Sequence, residues 1–332
     1  MPHLCLIHAG GTLGMQPSPQ GLRPAAGQLA ALVQRVVPVE ATLTVVEYAP
    51  LLDSAEATPA DWARLAADLA ARRTSFDGFV VVHGTDTLAF TAAALAFLLP
   101  HFGKPVVVTG AQVPLCLPAS DGWGNLAHAF AAASQPDFVE VGVVFAGQLL
   151  RGVRSQKVDA QQLAAFASLG TPALATFGVV ADWQRALWRP HAAAEPFVPR
   201  SLNPQCRVVL ATLAPGATVD FIAAALAQQP LDALVLAAFG NGNAPHHPAL
   251  EAALAAQVDA GALVVVVSQV PRGVVLGGAY ASSQGLLATG AIGAEGMTVA
   301  AAVAKAHVVA SLPVSPAARQ AAFLADWAGE RG

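Results

Sequence analysis

Charge, cysteine and lysine are all scarce in this 332-residue chain, and each scarcity closes off a class of protein. Charged residues make up 11%, against about 25% in an average domain. The formal net charge is -4, with no basic block, so a nucleic-acid partner is not expected. So low a charge content reads either as surface buried in an oligomer or as the bias of an alanine-rich chain. The three cysteines, Cys5, Cys116 and Cys206, include no C-x-x-C pair. That excludes a disulfide framework and fits a reducing, cytoplasmic setting. The segment Met1 to His8 has no basic stretch ahead of a short apolar run, so no signal peptide is read. No run of about 18 apolar residues escapes a turn signal or a charge, so no membrane span is expected. Gly103-Lys104 stands before a proline without the rest of a phosphate-binding loop, and Gly277-Gly278 belongs to no GxGxxG, so no nucleotide cofactor is read. His246-His247 lies in a proline-flanked loop without ligand spacing, so no metal site is expected.

What is present is apolar and periodic. Hydrophobic residues are 55% of the chain, enough for a sizeable core, and the length allows one large domain or two. The most informative stretch is Phe79-Val80-Val81-Val82-His83-Gly84-Thr85-Asp86-Thr87. Its first half is a β-branched run that reads as a buried parallel strand. Helix formers follow from Leu88 to Phe97. Thr85, Asp86 and Thr87 therefore stand where a strand hands over to a helix, the edge at which open α/β sheets bind ligands and helix starts offer unpaired N–H groups.

Around it, strands are expected at Leu4–His8, Thr42–Glu47, Pro105–Thr109 and Val139–Phe145. Helices are expected over Gln28–Val36, from Thr58-Pro59 onward with Thr58 as cap, and through Asn125 to Ala133. Met15 to Gly27, with three prolines, reads as a mobile loop, and Arg151 to Lys157 as a polar segment. A proline-rich, aperiodic stretch at 189–205 is read as a linker between an N-terminal domain, 1–188, and a C-terminal domain, 206–332. Beyond it come strands at Arg207–Leu213, Ala233–Ala238 and Ala262–Ser268. Helices follow at Asp220–Gln228, Pro248–Asp259, Thr298–Ala310 and Pro316–Trp327. Strands alternating with helices imply parallel sheets with right-handed crossovers.

Each motif has a plain reading and a chemical one. Gly10-Gly11-Thr12 after the first strand is a tight turn with a capping Thr, or a Thr nucleophile with glycines leaving room for substrate. A Thr hydroxyl is a weak nucleophile and needs a base. Thr85-Asp86 is a helix cap, or, with Thr12 on a neighbouring strand, half of one crevice. Lys157 is one of only three lysines, beside Lys104 and Lys305, against fourteen arginines. It is a surface lysine, or a group able to take a proton, which arginine is not. His83 reads as a packed, hydrogen-bonded core residue.

Together these turns resemble the bacterial-type L-asparaginase family, closest to its cytoplasmic type I branch. The resemblance rests on Ala9-Gly10-Gly11-Thr12-Leu13-Gly14, His83 to Thr87 and Pro50-Leu51-Leu52-Asp53-Ser54. It rests also on Val108-Thr109-Gly110-Ala111-Gln112, Ser120-Asp121-Gly122 with Asn125, Arg151-Gly152 to Lys157, and Gly240-Asn241-Gly242-Asn243. It runs from about residue 3 to about 312. It implies an α/β chain of two domains, a larger N-terminal, mostly parallel-sheet domain and a smaller flavodoxin-like C-terminal one. It implies hydrolysis of asparagine to aspartate and ammonia, without metal or organic cofactor, in a homodimer or homotetramer. By position, Thr12 would be the nucleophile, and Thr85, Asp86 and Lys157 the proton relay. Ser54, Asp53 and Asp86 would hold substrate, backbone near Thr85 and Ala111 the oxyanion, and Asn243 would come from a neighbouring subunit.

Three positions depart from the pattern. Leu22 stands where the family's loop has a Tyr, Ala9 precedes the glycine pair in place of Thr, and Ala55-Glu56 follows Ser54. The readings this leaves beside an asparaginase are a glutaminase-asparaginase of broader specificity, a glutaminase-type subunit feeding a transamidation partner, and a non-catalytic amino-acid binder.

Overall fold

The computed structural model describes the chain except residues 20, 169, 191–195, 276–280 and 332. Gln20, Gly277-Gly278, Tyr280 and part of the 189–205 linker therefore lie outside the described residues. The chain divides into two compact units, Met1–Pro199 and Arg200–Gly332. No helix among the described residues is long and apolar enough to cross a membrane.

In the first unit the strands are β1 (His3–Gly10), β2 (Met15–Ser18), β3 (Gly21–Pro24), β4 (Thr42–Leu52), β5 (Gly78–Val82), β6 (Val106–Thr109), β7 (Val141–Phe145), β8 (Gln148–Arg151), β9 (Ser155–Lys157), β10 (Phe166–Ser168), β11 (Ala175–Phe177) and β12 (Ala181–Trp183). The helices are α1 (Leu29–Val33), α2 (Pro59–Arg72), α3 (Leu88–Leu98) and α4 (Gly122–Ala133). The main sheet runs β12-β11-β8-β7-β6-β5-β1-β4. β4, β1, β5, β6 and β7 are parallel to one another. Chain order reverses direction at β1: β4 is laid on one side, then β5, β6 and β7 on the other. That makes the β1/β5 boundary a topological switch point, where the turns diverge and leave a crevice.

The parallel strands form for the reason their composition suggests. Every residue of β5, β6 and β7 is buried, as expected of strands covered on both faces. α2 is amphipathic and buries Trp62, Leu65, Ala66 and Leu69. Its start is fastened by Asp61, whose carboxylate accepts from Thr58 N and Thr58 Oγ1, each at 2.8 Å. α3 buries nine of its eleven residues, so it has no solvent face to set an apolar stripe against.

The structure differs from the sequence reading in three places. Met15 to Gly27, expected as a loop, contains an antiparallel hairpin with Met15 opposite Pro24 and Ser18 opposite Gly21. Proline is compatible with such a two-stranded ribbon because it needs no ladder partner for a missing N–H, and Gly21 at φ 102° turns the chain. The helix expected over Gln28–Val36 is one short turn pair, Leu29–Val33. Beyond β7 the sheet continues antiparallel through β8, β11 and β12, strands of three or four residues too short to show a period. The polar segment Arg151 to Lys157 contains a 3-10 turn and β9, which pairs with β10.

In the second unit β13 (Val208–Thr212), β14 (Ala233–Ala238), β15 (Leu263–Ser268) and β16 (Ile292–Gly293) form a parallel sheet in that order. Helices α5 (Thr218–Gln228), α6 (Pro248–Asp259), α7 (Ala281–Ala288), α8 (Val299–Ala310) and α9 (Pro316–Leu324) alternate with the strands or follow them. α8 is buried over Ala300–Ala310, including Lys305. The Lys305 ammonium donates to the Ala325 carbonyl and pairs with the Glu330 carboxylate, both side chains fully buried. Glu330 also accepts from Trp327 N at 3.0 Å and Ala328 N at 2.7 Å. Burial pushes the Lys305 pKa down, against the pull of Glu330. Glu330→Ala takes from the buried Lys305 ammonium its carboxylate, and removing one partner of such a pair costs about 3–5 kcal/mol. Urea unfolding of the full chain is expected to show that loss in the second unit, with Glu330→Gln losing less.

Candidate active site

Four adjacent parallel strands end at one edge, and their turns carry most of the candidate residues. β4 delivers Asp53 and Ser54, β1 delivers Thr12, β5 delivers Thr85 and Asp86, and β6 delivers Ala111. The turns are held together by absent side chains. Gly11 has φ 91°, and a Cβ there would lie 2.4 Å from Gly84 N. A Cβ on Gly84 would lie 2.3 Å from Ser54 Oγ. The turns after β1 and β5 thus meet backbone to backbone across the switch point, and the Ser54 side chain packs directly on the second of them. Thr87 Oγ1 adds a hydrogen bond to the Ser54 carbonyl at 2.7 Å, and Leu115 N donates to Leu13 O at 3.1 Å, joining the Thr12 turn to the segment after β6.

Thr12 opens the 3-10 turn Thr12–Gly14 and is partly exposed. Among the described residues its hydroxyl has no hydrogen-bond partner, which leaves it available to a ligand. Ser54 and Thr85 are buried, while the Asp86 side chain is 62% exposed. Asp53 is exposed, and its carboxylate accepts from Ala55 N on its own loop at 3.0 Å. Lys157, carried on β9, reaches across the edge. Its Nζ donates to Thr85 Oγ1 at 2.8 Å and to Asp86 Oδ1 at 2.7 Å. Lys157 Nζ is therefore held between one carboxylate and one hydroxyl, the placement a proton shuttle needs.

The sequence reading attached no role to three residues that organise this edge. Asp121 sits at the cap position of α4 but does not cap it. Its carboxylate turns back to accept from Gln112 N at 3.0 Å and Val113 N at 2.9 Å, fastening the backbone beside Ala111. Asn125 donates to Gly110 O and accepts from Ala146 N, each at 3.0 Å. Gln112 accepts from Thr85 Oγ1 at 3.3 Å and donates to Gln162 O at 3.2 Å. The only local signal was Ser120-Asp121-Gly122 ahead of a helix, which reads as a cap.

His83 is a core residue. It is 1% exposed, with Nδ1 2.8 Å from Gly84 O and Nε2 3.1 Å from Thr91 Oγ1, and burial pushes its pKa down. Asn243 belongs to the second unit, where it closes a turn with Phe239 through two backbone hydrogen bonds of 3.0 and 2.8 Å. Among the described residues no group of three His, Cys, Asp or Glu side chains is placed to hold a metal ion.

Comparison with known proteins gives a consistent result. The family model "Asparaginase, N-terminal" matches residues 3–189, and "Glutaminase/Asparaginase C-terminal domain" matches 207–323. L-asparaginase 1 of Escherichia coli (strain K12) is 39% identical over 310 residues, covering 92% of this chain and 91% of that protein. The 60 kDa lysophospholipase of Mus musculus is 36% identical over 335 residues, 93% of this chain and 59% of that protein. The crystal structure of L-asparaginase I from Vibrio cholerae superposes with a TM-score of 0.89 at 37% identity, covering 100% and 99% of the two chains.

The backbone contact at the switch point is directly testable. Gly11→Ala adds a Cβ in a left-handed conformation and onto the Gly84 amide, so the two turns must part. A shift of about 1 Å at reacting groups costs about 100-fold. The catalytic efficiency measured on the amide substrate below is expected to fall by at least that factor, with the far-UV circular dichroism of the sheet unchanged.

Proposed function

The chain belongs to the asparaginase family, and from that premise we propose that it hydrolyses L-asparagine to L-aspartate and ammonia through a Thr12 acyl-enzyme. One observation supports the assignment of roles above the rest: Lys157 hydrogen-bonded at once to Thr85 and Asp86, on the sheet edge that also presents Thr12.

Thr12 Oγ1 attacks the side-chain amide carbon. Its proton passes by way of Thr85 to Lys157 in its neutral amine form, which becomes the ammonium and returns that proton to the leaving nitrogen. The tetrahedral oxyanion is stabilised by backbone N–H groups near Thr85 and Ala111, a form of stabilisation whose loss typically costs about 2.7–4 kcal/mol per donor. The C–N bond then breaks, the relay protonates the leaving nitrogen, and ammonia departs. Water attacks the Thr12 ester and releases aspartate. Ser54 and Asp86 hold the α-carboxylate and α-ammonium, Asp53 supports the Ser54 turn, and Asn243 completes the site from a neighbouring subunit of a homodimer or homotetramer. No metal or organic cofactor takes part. With Leu22 exposed on β3 and no tyrosine on the hairpin, proton transfer falls to the Thr85–Lys157–Asp86 set and water. The protein works in the cytoplasm, a setting that its three free cysteines support.

Glutamine is the second substrate to test, because one methylene is worth only about 1–3 kcal/mol of discrimination. Ammonia release from L-asparagine and L-glutamine decides the matter. Thr12→Ala and Lys157→Met are each expected to lose about a thousand-fold or more while remaining folded. Retained turnover in both variants overturns the roles. Silence of the folded wild-type protein on both amides, with aspartate binding by calorimetry, favours the binder.

A further inference from the structure

A fully buried histidine and a partly buried glutamate support both ends of the hairpin that follows Thr12. His8 and Glu47 face each other in register on β1 and β4. His8 is fully buried, and its Nδ1 lies 3.0 Å from Glu47 Oε2. The other carboxylate oxygen, Oε1, accepts from Gly27 N at 2.7 Å, just beyond β3. On its opposite side the His8 ring lies against Gly14, where a Cβ would come within 2.7 Å of Cε1 and 2.8 Å of Nε2. Gly14 ends the turn that Thr12 begins and immediately precedes β2, and β3 packs against that same turn. The segment Met15–Ala26 thus leaves the sheet at Gly14 over the imidazole and returns at Gly27 to the carboxylate. Among the described residues His8 Nε2 is buried without a partner. Glu47 is therefore the ring's polar anchor, and it holds the tautomer in which Nδ1–H donates and Nε2 stays bare.

We propose that His8 and Glu47 are positioning residues for the hydrolysis. His8 is the floor that seats Gly14, and through it the Thr12 turn. Glu47 is the latch that orders the returning end of the hairpin. The inference rests on the assignment of Thr12 as nucleophile, but neither residue belongs to the proton relay. The two are expected to act on different kinetic constants. Removing the floor shifts the turn that bears the nucleophile, which lowers kcat. Removing the latch leaves the relay intact but makes substrate binding pay for ordering the hairpin, which raises KM.

The test uses the full chain and L-asparagine. His8→Ala is expected to lower kcat at least tenfold, and Glu47→Ala to raise KM at least fivefold with a smaller loss of kcat than His8→Ala, because the ring keeps its packing against Gly14 but loses its anchor. Glu47→Gln, which keeps an acceptor for the Gly27 amide, is expected to recover most of the KM. Hydrogen–deuterium exchange of the unliganded protein supplies a readout independent of activity: Glu47→Ala should speed exchange over residues 15–27 and leave β5 and β6 unchanged. Exchange over 15–27 equal to wild type in both Glu47 variants overturns the proposal, as do unchanged kcat and KM accompanied only by a lower melting temperature. A wild-type protein that releases no ammonia defeats the functional reading instead, and the exchange result still decides whether the pair seats the hairpin.

Discussion

Everything at the sheet edge depends on how closely the turns after β1, β4 and β5 approach one another. Gly11 against the Gly84 amide, and Gly84 against the Ser54 side chain, bring three chain segments to backbone distance. A parallel sheet sets its strands about 4.8 Å apart, but turns that continue in different directions normally diverge beyond the last ladder bond. Here they stay close, because no side chain stands between Gly11 and Gly84 and only the small Ser54 side chain stands between Gly84 and the turn after β4. That is why a partly exposed Thr, a buried Ser and a buried Thr share one crevice at the reversal of strand order between β1 and β5.

The second constraint is electrostatic. A chain with few charges spends several of them at this edge. Asp121 gives its carboxylate to two backbone amides beside Ala111, Asp86 neutralises Lys157, and Glu47 holds a buried imidazole and a returning loop. The Asp86 and Glu47 connections join segments distant in sequence, while that of Asp121 closes a loop of eight or nine residues. The charged hydrogen bonds position backbone, and the glycines set how near that backbone can come. Neither alone would orient Lys157 Nζ between a hydroxyl and a carboxylate.

The two departures from the family pattern near Thr12 acquire a structural setting. Leu22 lies on β3, paired with β2 and exposed to solvent, so the position is presented but carries no ionisable group. Ala9 is fully buried within β1, and its neighbour His8 is the residue against which the Thr12 turn is packed. The hairpin was illegible as such because its strands are four residues long and rich in proline, a composition that reads as loop when no partner strand is in view. The antiparallel extension through β8, β11 and β12 escaped for the same reason of length.

Local sequence by itself determined the strands of β-branched residues, the glycine-bearing turns that end them and the placement of Thr12, Thr85 and Asp86 on those turns. These follow from steric and hydrogen-bonding preferences that act over a few residues. Tertiary structure decided what no window could contain. It brought Lys157 to Thr85 across 72 residues, and turned Asp121 from its own helix to the amides beyond β6. It also set His8 opposite Glu47 beneath Gly14. The physical reason is the same in each case: a side chain's role depends on which partner fills its hydrogen-bonding capacity, and strand order in the sheet selects that partner.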